Sequence, residues 1–191
     1  MTANHQLETW LALERETRER YDRGPGPGVI SPEQLAGKTG LEVIRGQLNG
    51  ELSYACIART LDFLLIEVDH GRVIFQGTPG PAHLNPLGGI HGGWYATLLD
   101  SALACAVQTM LPVGRSYTTT ELSLNIVRAI GPDVQRVRAE GKVLHFGRQL
   151  ATSEARLYGP DGKLFAHGTT TCMMFELGAG RASKHAAQSA A

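Results

Sequence analysis

The chain has 191 residues, with 18 Lys and Arg balanced by 18 Asp and Glu and a formal net charge of zero. A neutral chain has no global field to draw in DNA, RNA or an anionic membrane, so no nucleic acid and no membrane is expected as a partner, and a phosphate-bearing ligand would need a local basic cluster. Hydrophobic residues at 42% and charged residues at 19% exclude a disordered polymer and predict one ordinary domain with a real core.

Residues 4–22 predict an exposed helix, in which Trp10, Leu11 and Leu13 accompany Glu/Arg pairs at helical spacing. This start is polar and lacks the apolar centre of a signal peptide. Gly24-Pro25-Gly26-Pro27-Gly28 is a cluster of breakers and marks a linker. Ser31 then reads as an N-cap, with Pro32 at the first helical position and Gln34 completing a capping box. The helical pattern runs to about Leu48, interrupted near Gly37–Gly40. Residues 1–58 are therefore read as a helical arm and linker, 59–177 as the main domain, and the Ala/Ser/Lys-rich residues 178–191 as a disordered tail. The cysteines, Cys56, Cys105 and Cys172, form no CxxC pair. They read as buried thiols of a reducing compartment, which predicts a cytoplasmic protein.

Within the main domain, Leu61–Val68 and Val73–Gln76 flank the turn Asp69-His70-Gly71 and predict a hairpin. A glycine-rich turn follows, then an apolar helix from about Gly92 to Met110, stopped by Pro112 and Gly114. The run Trp94–Leu111 approaches membrane-spanning length, but Thr97, Asp100, Ser101, Gln108 and Thr109 interrupt it, so it is read as a buried helix. Four strands are predicted next, at Tyr117–Val127, Val134–His145, Gln149–Tyr158 and Leu164–Glu176. Arg136, Arg138, Glu140 and Lys142 alternate with Val137, Ala139, Gly141 and Val143, so one sheet face is expected to meet water and the other to be covered by the helix. The class is α+β, an antiparallel sheet around one long helix. That helix is apolar on nearly all sides, so either the sheet curls around it or another subunit covers the rest.

The stretch Asn85-Pro86-Leu87-Gly88-Gly89-Ile90-His91-Gly92-Gly93 leads directly into this helix, and the helix carries one carboxylate, Asp100. A glycine-rich turn at a helix N-terminus presents free backbone N–H groups and positive dipole, which can polarise a carbonyl. A carboxylate in an apolar run is costly to bury. Together they point to acyl-transfer or hydrolytic chemistry. Neither GxxxxGK[ST] nor GxGxxG is present, which argues against a phosphate loop. The seven histidines show no metal-ligand spacing, so neither metal nor cofactor is expected. Cys105 is read as core packing.

The pattern Asn85, Gly88, His91, Gly92, Gly93 and, nine positions after the histidine, Asp100 resembles hotdog-fold acyl-CoA thioesterases of the phenylacetate-pathway (PaaI-like) type. Glu121–Arg128, His145-Phe146-Gly147-Arg148 and Asp161–Ala166 also resemble segments of that family, with Ala129 where the family carries Pro. The resemblance spans roughly residues 60–176. It implies a hotdog fold, a long central helix wrapped by a curved antiparallel sheet, with the helical arm as an N-terminal extension. It further implies a homo-oligomer, a dimer or dimer of dimers, that hydrolyses acyl-CoA without a metal. In that scheme the Gly92 N–H stabilises the thioester oxyanion and Asp100 is general base or nucleophile. His91 shapes the turn or bonds near the thioester, and Asn85 orients water or the turn. Thr119 helps place the water, with Thr118 and Thr120 leaving the register open by one. Gly93, Gly147, Arg148 and Arg128 are the candidates for substrate and CoA binding.

Spacing adds a constraint. Asp100 lies nine residues after His91, about 13 Å along the axis and half a turn around it. It cannot reach a carbonyl held at its own helix start, so a site using both would be shared between chains. The competing reading is a non-catalytic acyl-CoA-binding or regulatory module on the same fold. A hydratase is disfavoured because its His-then-Pro-Gly helix start is not found. Trp94, Tyr95, Leu98 and either Phe63 or Phe146 are expected to line the acyl pocket.

Overall fold

The computed structural model describes residues 2–177; the predicted tail, residues 178–191, lies outside them. Four helices precede the sheet: α1 (Ala3–Arg23), α2 (Pro32–Leu35), α3 (Gly40–Leu48) and α4 (Cys56–Thr60). Strands β1 (Phe63–Asp69) and β2 (Arg72–Gly77) lead through a short 3-10 turn at Pro81–His83 to the long helix α5 (Gly92–Gln108). Strands β3 (Arg115–Ile126), β4 (Val137–Phe146), β5 (Leu150–Tyr158) and β6 (Leu164–Glu176) complete the chain. The strands form one antiparallel sheet in the order β1-β2-β4-β5-β6-β3. The helix α4 and the 3-10 turn are too short to leave a periodic signal and were not anticipated.

The sheet wraps α5, which touches every strand from β2 to β6. Trp94, Leu98, Leu99, Ala102, Leu103 and Ala106 of α5 form the centre of the core, with Phe75, Val137, Ala139, Ala155 and Leu157 from the sheet. Helix and sheet approach closely because Gly141 of β4 has no side chain. A Cβ there would lie 2.1 Å from the Ala102 carbonyl oxygen. Ser153 of β5 donates to the Leu103 carbonyl at 2.9 Å, a second tie between α5 and the sheet.

The arm corrects two expectations. Helix α1 is not an exposed helix, and the Arg136/Arg138 row is not a solvated face. Trp10 is only 2% exposed and Glu14 only 4%, because α1 lies over the outer side of the sheet. Glu14 accepts from Arg136, from Arg18 Nε at 3.0 Å and from Gln76 Nε2 at 2.8 Å. Gln76 Oε1 in turn accepts from Arg138 Nε at 2.9 Å, and the Arg138 guanidinium stacks 4.5 Å from the Trp10 ring. Alternation correctly showed which side chains leave the core. It could not show that a helix more than 100 residues upstream would bury them with a matching carboxylate. Lys142 alone of that row stays exposed, paired with Glu140 at 3.1 Å. Farther on, Tyr21 stacks on Tyr54 at 4.4 Å.

Helix α3 belongs to the core as well. Ile44 is fully buried among the α5 and β1 side chains, and the Gly40 N–H donates to the Leu111 carbonyl at 2.9 Å. The predicted capping box of Ser31 and Gln34 forms, and Thr39 with Glu42 makes another. Of the three thiols expected to be buried, Cys172 is buried, Cys105 is half-buried and Cys56 is exposed.

Candidate active site

The loop before α5 is organised by its own hydrogen bonds. His83 is buried against the Trp94 ring, 5.5 Å between centroids, and its carbonyl accepts the His91 N–H at 2.8 Å. The Asn85 side-chain oxygen accepts from the N–H groups of Leu87 at 2.9 Å and Gly89 at 3.2 Å. Gly88 takes φ +83°, a left-handed turn conformation suited to glycine. Asn85 therefore shapes this turn through its oxygen, which leaves only its amide N–H groups for anything outside the loop.

His91 is the N-cap of α5, with extended backbone (φ −63°, ψ 137°). Its Nδ1 accepts the Gly93 N–H at 2.9 Å, and its carbonyl accepts the Trp94 N–H at 2.9 Å. The imidazole thus ties the first turn of the helix. The Gly92 N–H has no acceptor among the described residues, and Gly92 is exposed. A single free N–H at the positive end of a four-turn helix is a ready donor for a developing oxyanion.

Asp100 sits two turns down. Helix α5 is buried on every side except one stripe, where Gly93, Thr97, Asp100 and Gln108 remain partly open. Measured from Gly93, Asp100 is seven residues on and on the same stripe, so the half-turn offset counted from His91 is not the relevant separation. What separates Asp100 from the Gly92 N–H is distance along the axis, about 12 Å for eight residues.

Strand β3 runs beside this stripe, antiparallel to the helix. Tyr117 OH donates to Gln108 Oε1 at 3.3 Å, Thr119 Oγ1 donates to Asp100 Oδ1 at 3.3 Å, and the Ile126 side chain lies against Gly92. A bulge between Thr119 and Glu121 sets the register: Thr119 faces inward, while Thr118 and Thr120 are exposed and the Thr120 hydroxyl is spent on the Thr171 carbonyl. Burial pushes the Asp100 carboxyl above the usual range, and the Thr119 hydrogen bond partly opposes this. The neighbouring Cys105 thiol is pushed up to about 12 by burial, with the Asp100 charge adding to the effect. It is no nucleophile at neutral pH.

The remaining candidates divide. Gly147 and Arg148 form the β4–β5 turn, where the Arg148 carbonyl accepts from Arg115 Nη2 at 2.8 Å. Arg128 is exposed just past the far end of β3, close to Gly92 through Ile126, so within one chain the two arginines lie at opposite ends of that strand. Trp94, Tyr95, Leu98 and Phe63 line no acyl pocket; they are packed into the core, where the Trp94 Nε1–H donates to the Leu61 carbonyl and Tyr95 OH accepts the Ile130 N–H. Their size and apolarity serve packing, and sequence alone does not distinguish a filled site from an open one. Arg115 went unnoticed in the sequence, although it stands directly after the Pro112/Gly114 helix stop. Among the described residues, no group of three His, Cys, Asp or Glu side chains could hold a metal, and no helix is long and apolar enough to cross a membrane.

A family model, the thioesterase superfamily, matches residues 87–166, the segment containing the helix start, Asp100, Thr119 and the β4–β5 turn. A search of curated proteins finds no match. Among solved structures, the chain is similar to a phenylacetic acid degradation-related protein from Ralstonia eutropha JMP134, with 30% identity over 69% of this chain and 98% of that one (TM-score 0.63). It is also similar to a thioesterase family protein from Silicibacter pomeroyi, at 25% identity over 63% of this chain and 90% of that one (TM-score 0.58). The PaaI protein of the E. coli phenylacetic acid degradation operon shares the fold at 19% identity, over 71% of this chain and 93% of that one (TM-score 0.62).

Proposed function

Given that the chain belongs to the thioesterase superfamily, as a thioester hydrolase of the PaaI type with the hotdog fold, we propose that it hydrolyses acyl-CoA to a carboxylic acid and CoA at a site shared between two subunits. The observation that carries this reading is the position of two groups on one open stripe of α5: an unpaired Gly92 N–H and, about 12 Å along the axis, the half-buried Asp100 held by Thr119. One thioester cannot touch both in one chain. Two antiparallel copies of α5 laid stripe to stripe would set each Gly92 beside the other chain's Asp100.

Strand β3 supports such a pairing. It is an edge strand of 12 residues whose outer backbone groups have no strand to bond among the described residues, and Leu122, Ile126 and Val127 beside it are exposed. An isologous two-fold contact along β3 covers these side chains and the α5 stripe at once.

The chemistry follows from the groups. The thioester carbonyl oxygen accepts from Gly92, a donor of a type typically worth about 3 kcal/mol to the transition state. Asp100 of the second chain either removes a proton from the attacking water or attacks the carbonyl carbon itself. Label found in the Asp100 carboxylate after a single turnover in oxygen-18 water identifies direct attack, with water then adding at the aspartyl carbon of the anhydride. His91 keeps the helix start in place, and Asn85 the loop before it. Arg148, Gly147, Gly93 and Arg128 flank the substrate. The exposed Cys56, if unpaired in the cell, fits a reducing cytoplasm.

Subunit complementation tests this reading. Gly92→Pro deletes the N–H at the first helical position, where proline is tolerated, and the extended His91 backbone suits a residue preceding proline. Gly92→Pro and Asp100→Asn homodimers should each be nearly inactive. A purified heterodimer of the two has one intact site and should recover up to about half the wild-type rate per dimer. Verified heterodimers that stay inactive would remove the shared site. Tight acyl-CoA binding without turnover by the wild type would replace hydrolysis with a binding role.

A further inference from the structure

Gly92 and Gly93 open α5, and two successive glycines make its first turn the part most easily deformed. The Gly92 N–H can serve a developing oxyanion only if it is held in place, because the gain depends on geometry fixed before the reaction. His83 makes two contacts here, one on each side of Gly92. Its carbonyl accepts the N–H of His91, the residue before, at 2.8 Å. Its imidazole lies over the ring of Trp94, two residues after, with centroids 5.5 Å apart and planes inclined at 29°.

Both ends of this clamp are anchored. Trp94 is seated on the sheet. Gly77, the last residue of β2, has no side chain, and a Cβ there would lie 2.9 Å from the Trp94 ring. The Trp94 Nε1–H donates to the Leu61 carbonyl at 2.9 Å. His83 closes the 3-10 turn that begins at Pro81. Its N–H donates to the Gly80 carbonyl at 2.9 Å, and its Nδ1 accepts the Gly80 N–H at 3.2 Å, which aims the ring. Above this root the loop is zipped by the Leu84–Ile90 bridge and by the Asn85 N–H, which donates to the Gly89 carbonyl at 2.8 Å.

We infer that His83 is a positioning residue for the Gly92 N–H: the backbone and ring of one histidine bracket the donor and fix it against Trp94. The assignment rests on Gly92 as the oxyanion donor of the hydrolase proposed above. The other polar side chains of the loop cannot take this part. Asn85 Oδ1 bonds only within the loop tip. His91 Nδ1 bonds Gly93, inside the first turn itself, so it stiffens that turn without placing it relative to the sheet. His83 joins the loop root to a ring that the sheet holds, and the contact bypasses both glycines. Without the ring, the helix start is free to shift while the rest of α5 stays packed in the core.

The test is a double-mutant comparison in the full chain. His83→Leu should lower kcat for an acyl-CoA about ten- to hundredfold, the cost of a donor misplaced by about 1 Å, with KM little changed. In Gly92→Pro, which has no N–H to place, adding His83→Leu should lower kcat by less than about twofold more, because both changes remove the same interaction. His83→Phe keeps a ring over Trp94 without the Nδ1 acceptor and should fall between wild type and His83→Leu. Equal losses in the wild-type and Gly92→Pro backgrounds would make His83 a structural residue and overturn the inference, as would an unchanged kcat in His83→Leu. If His83→Leu does not fold, the same comparison is read from His83→Phe. Wild-type activity in Gly92→Pro alone would instead remove Gly92 as the donor, and the positioning role with it.

Discussion

The Thr119 hydroxyl donates to the Asp100 carboxylate at 3.3 Å, joining edge strand β3 to the one open stripe of α5. It is the only side-chain hydrogen bond recorded for that carboxylate among the described residues, and it opposes the upward push of burial on the Asp100 carboxyl. Removing it should therefore raise that pKa further. In Thr119→Val, the acid limb of the kcat/KM profile should move to higher pH and the plateau rate should fall about tenfold, less than the roughly 10²–10⁴ that loss of the base itself costs. Thr119→Ser should restore both. A Thr119→Val profile that overlays the wild type would show that this contact does not tune Asp100.

Asp100 should also set a pH-dependent stability cost. Its folded pKa lies above the ordinary 3.8, so the folded state binds more protons than the unfolded state between the two values. Stability must then fall as pH rises through that window. Asp100→Asn removes the charge, so its Tm relative to wild type should be higher at pH 7 than at pH 3.5, while kcat drops about 10²–10⁴-fold. Parallel scanning calorimetry at the two pH values checks the sign.

Glu14 carries the opposite linkage. Burial would raise its pKa, but hydrogen bonds and charge from Arg136, with help from Gln76 and Arg18, hold it below the ordinary 4.5. Its stabilising contribution is complete above 4.5 and is lost as pH falls through the folded value. Glu14→Ala leaves Arg136 under α1 without its carboxylate, a change that typically costs about 3–5 kcal/mol. The loss should appear in urea unfolding at pH 7, together with a change in Trp10 fluorescence as the helix loosens. Below the folded pKa the difference between variant and wild type should shrink.

Two glycines should respond differently to alanine. At Gly141 a Cβ would meet the Ala102 carbonyl oxygen at 2.1 Å, so Gly141→Ala must push α5 off β4 and should cost about 3 kcal/mol or more. At Gly92 the nearest atom is the Ile126 side chain at 3.4 Å, an ordinary contact. Gly92→Ala should fold and keep most of its activity, because the N–H survives. Gly92→Pro should fold and lose about 10²–10³ in kcat. Measuring both Gly92 variants separates the donor from the space around it.

Sequence alone determined the local order of this protein. The glycine turn, the buried helix carrying Asp100, the strand alternation and the Ser31 capping box are all written in contiguous residues, because dihedral preference and periodicity act over a few positions. The family motif is equally local, running from Asn85 to Asp100. Only the tertiary structure decided what those side chains meet. The bulge that turns Thr119 inward, the burial of Arg138 beneath Trp10 and the filling of the supposed acyl pocket by Trp94 and Tyr95 all depend on residues brought together from distant parts of the chain. A side chain's charge and size are carried in its identity. Whether it is satisfied, solvated or left waiting for a ligand depends on packing, and packing is a property of the whole fold.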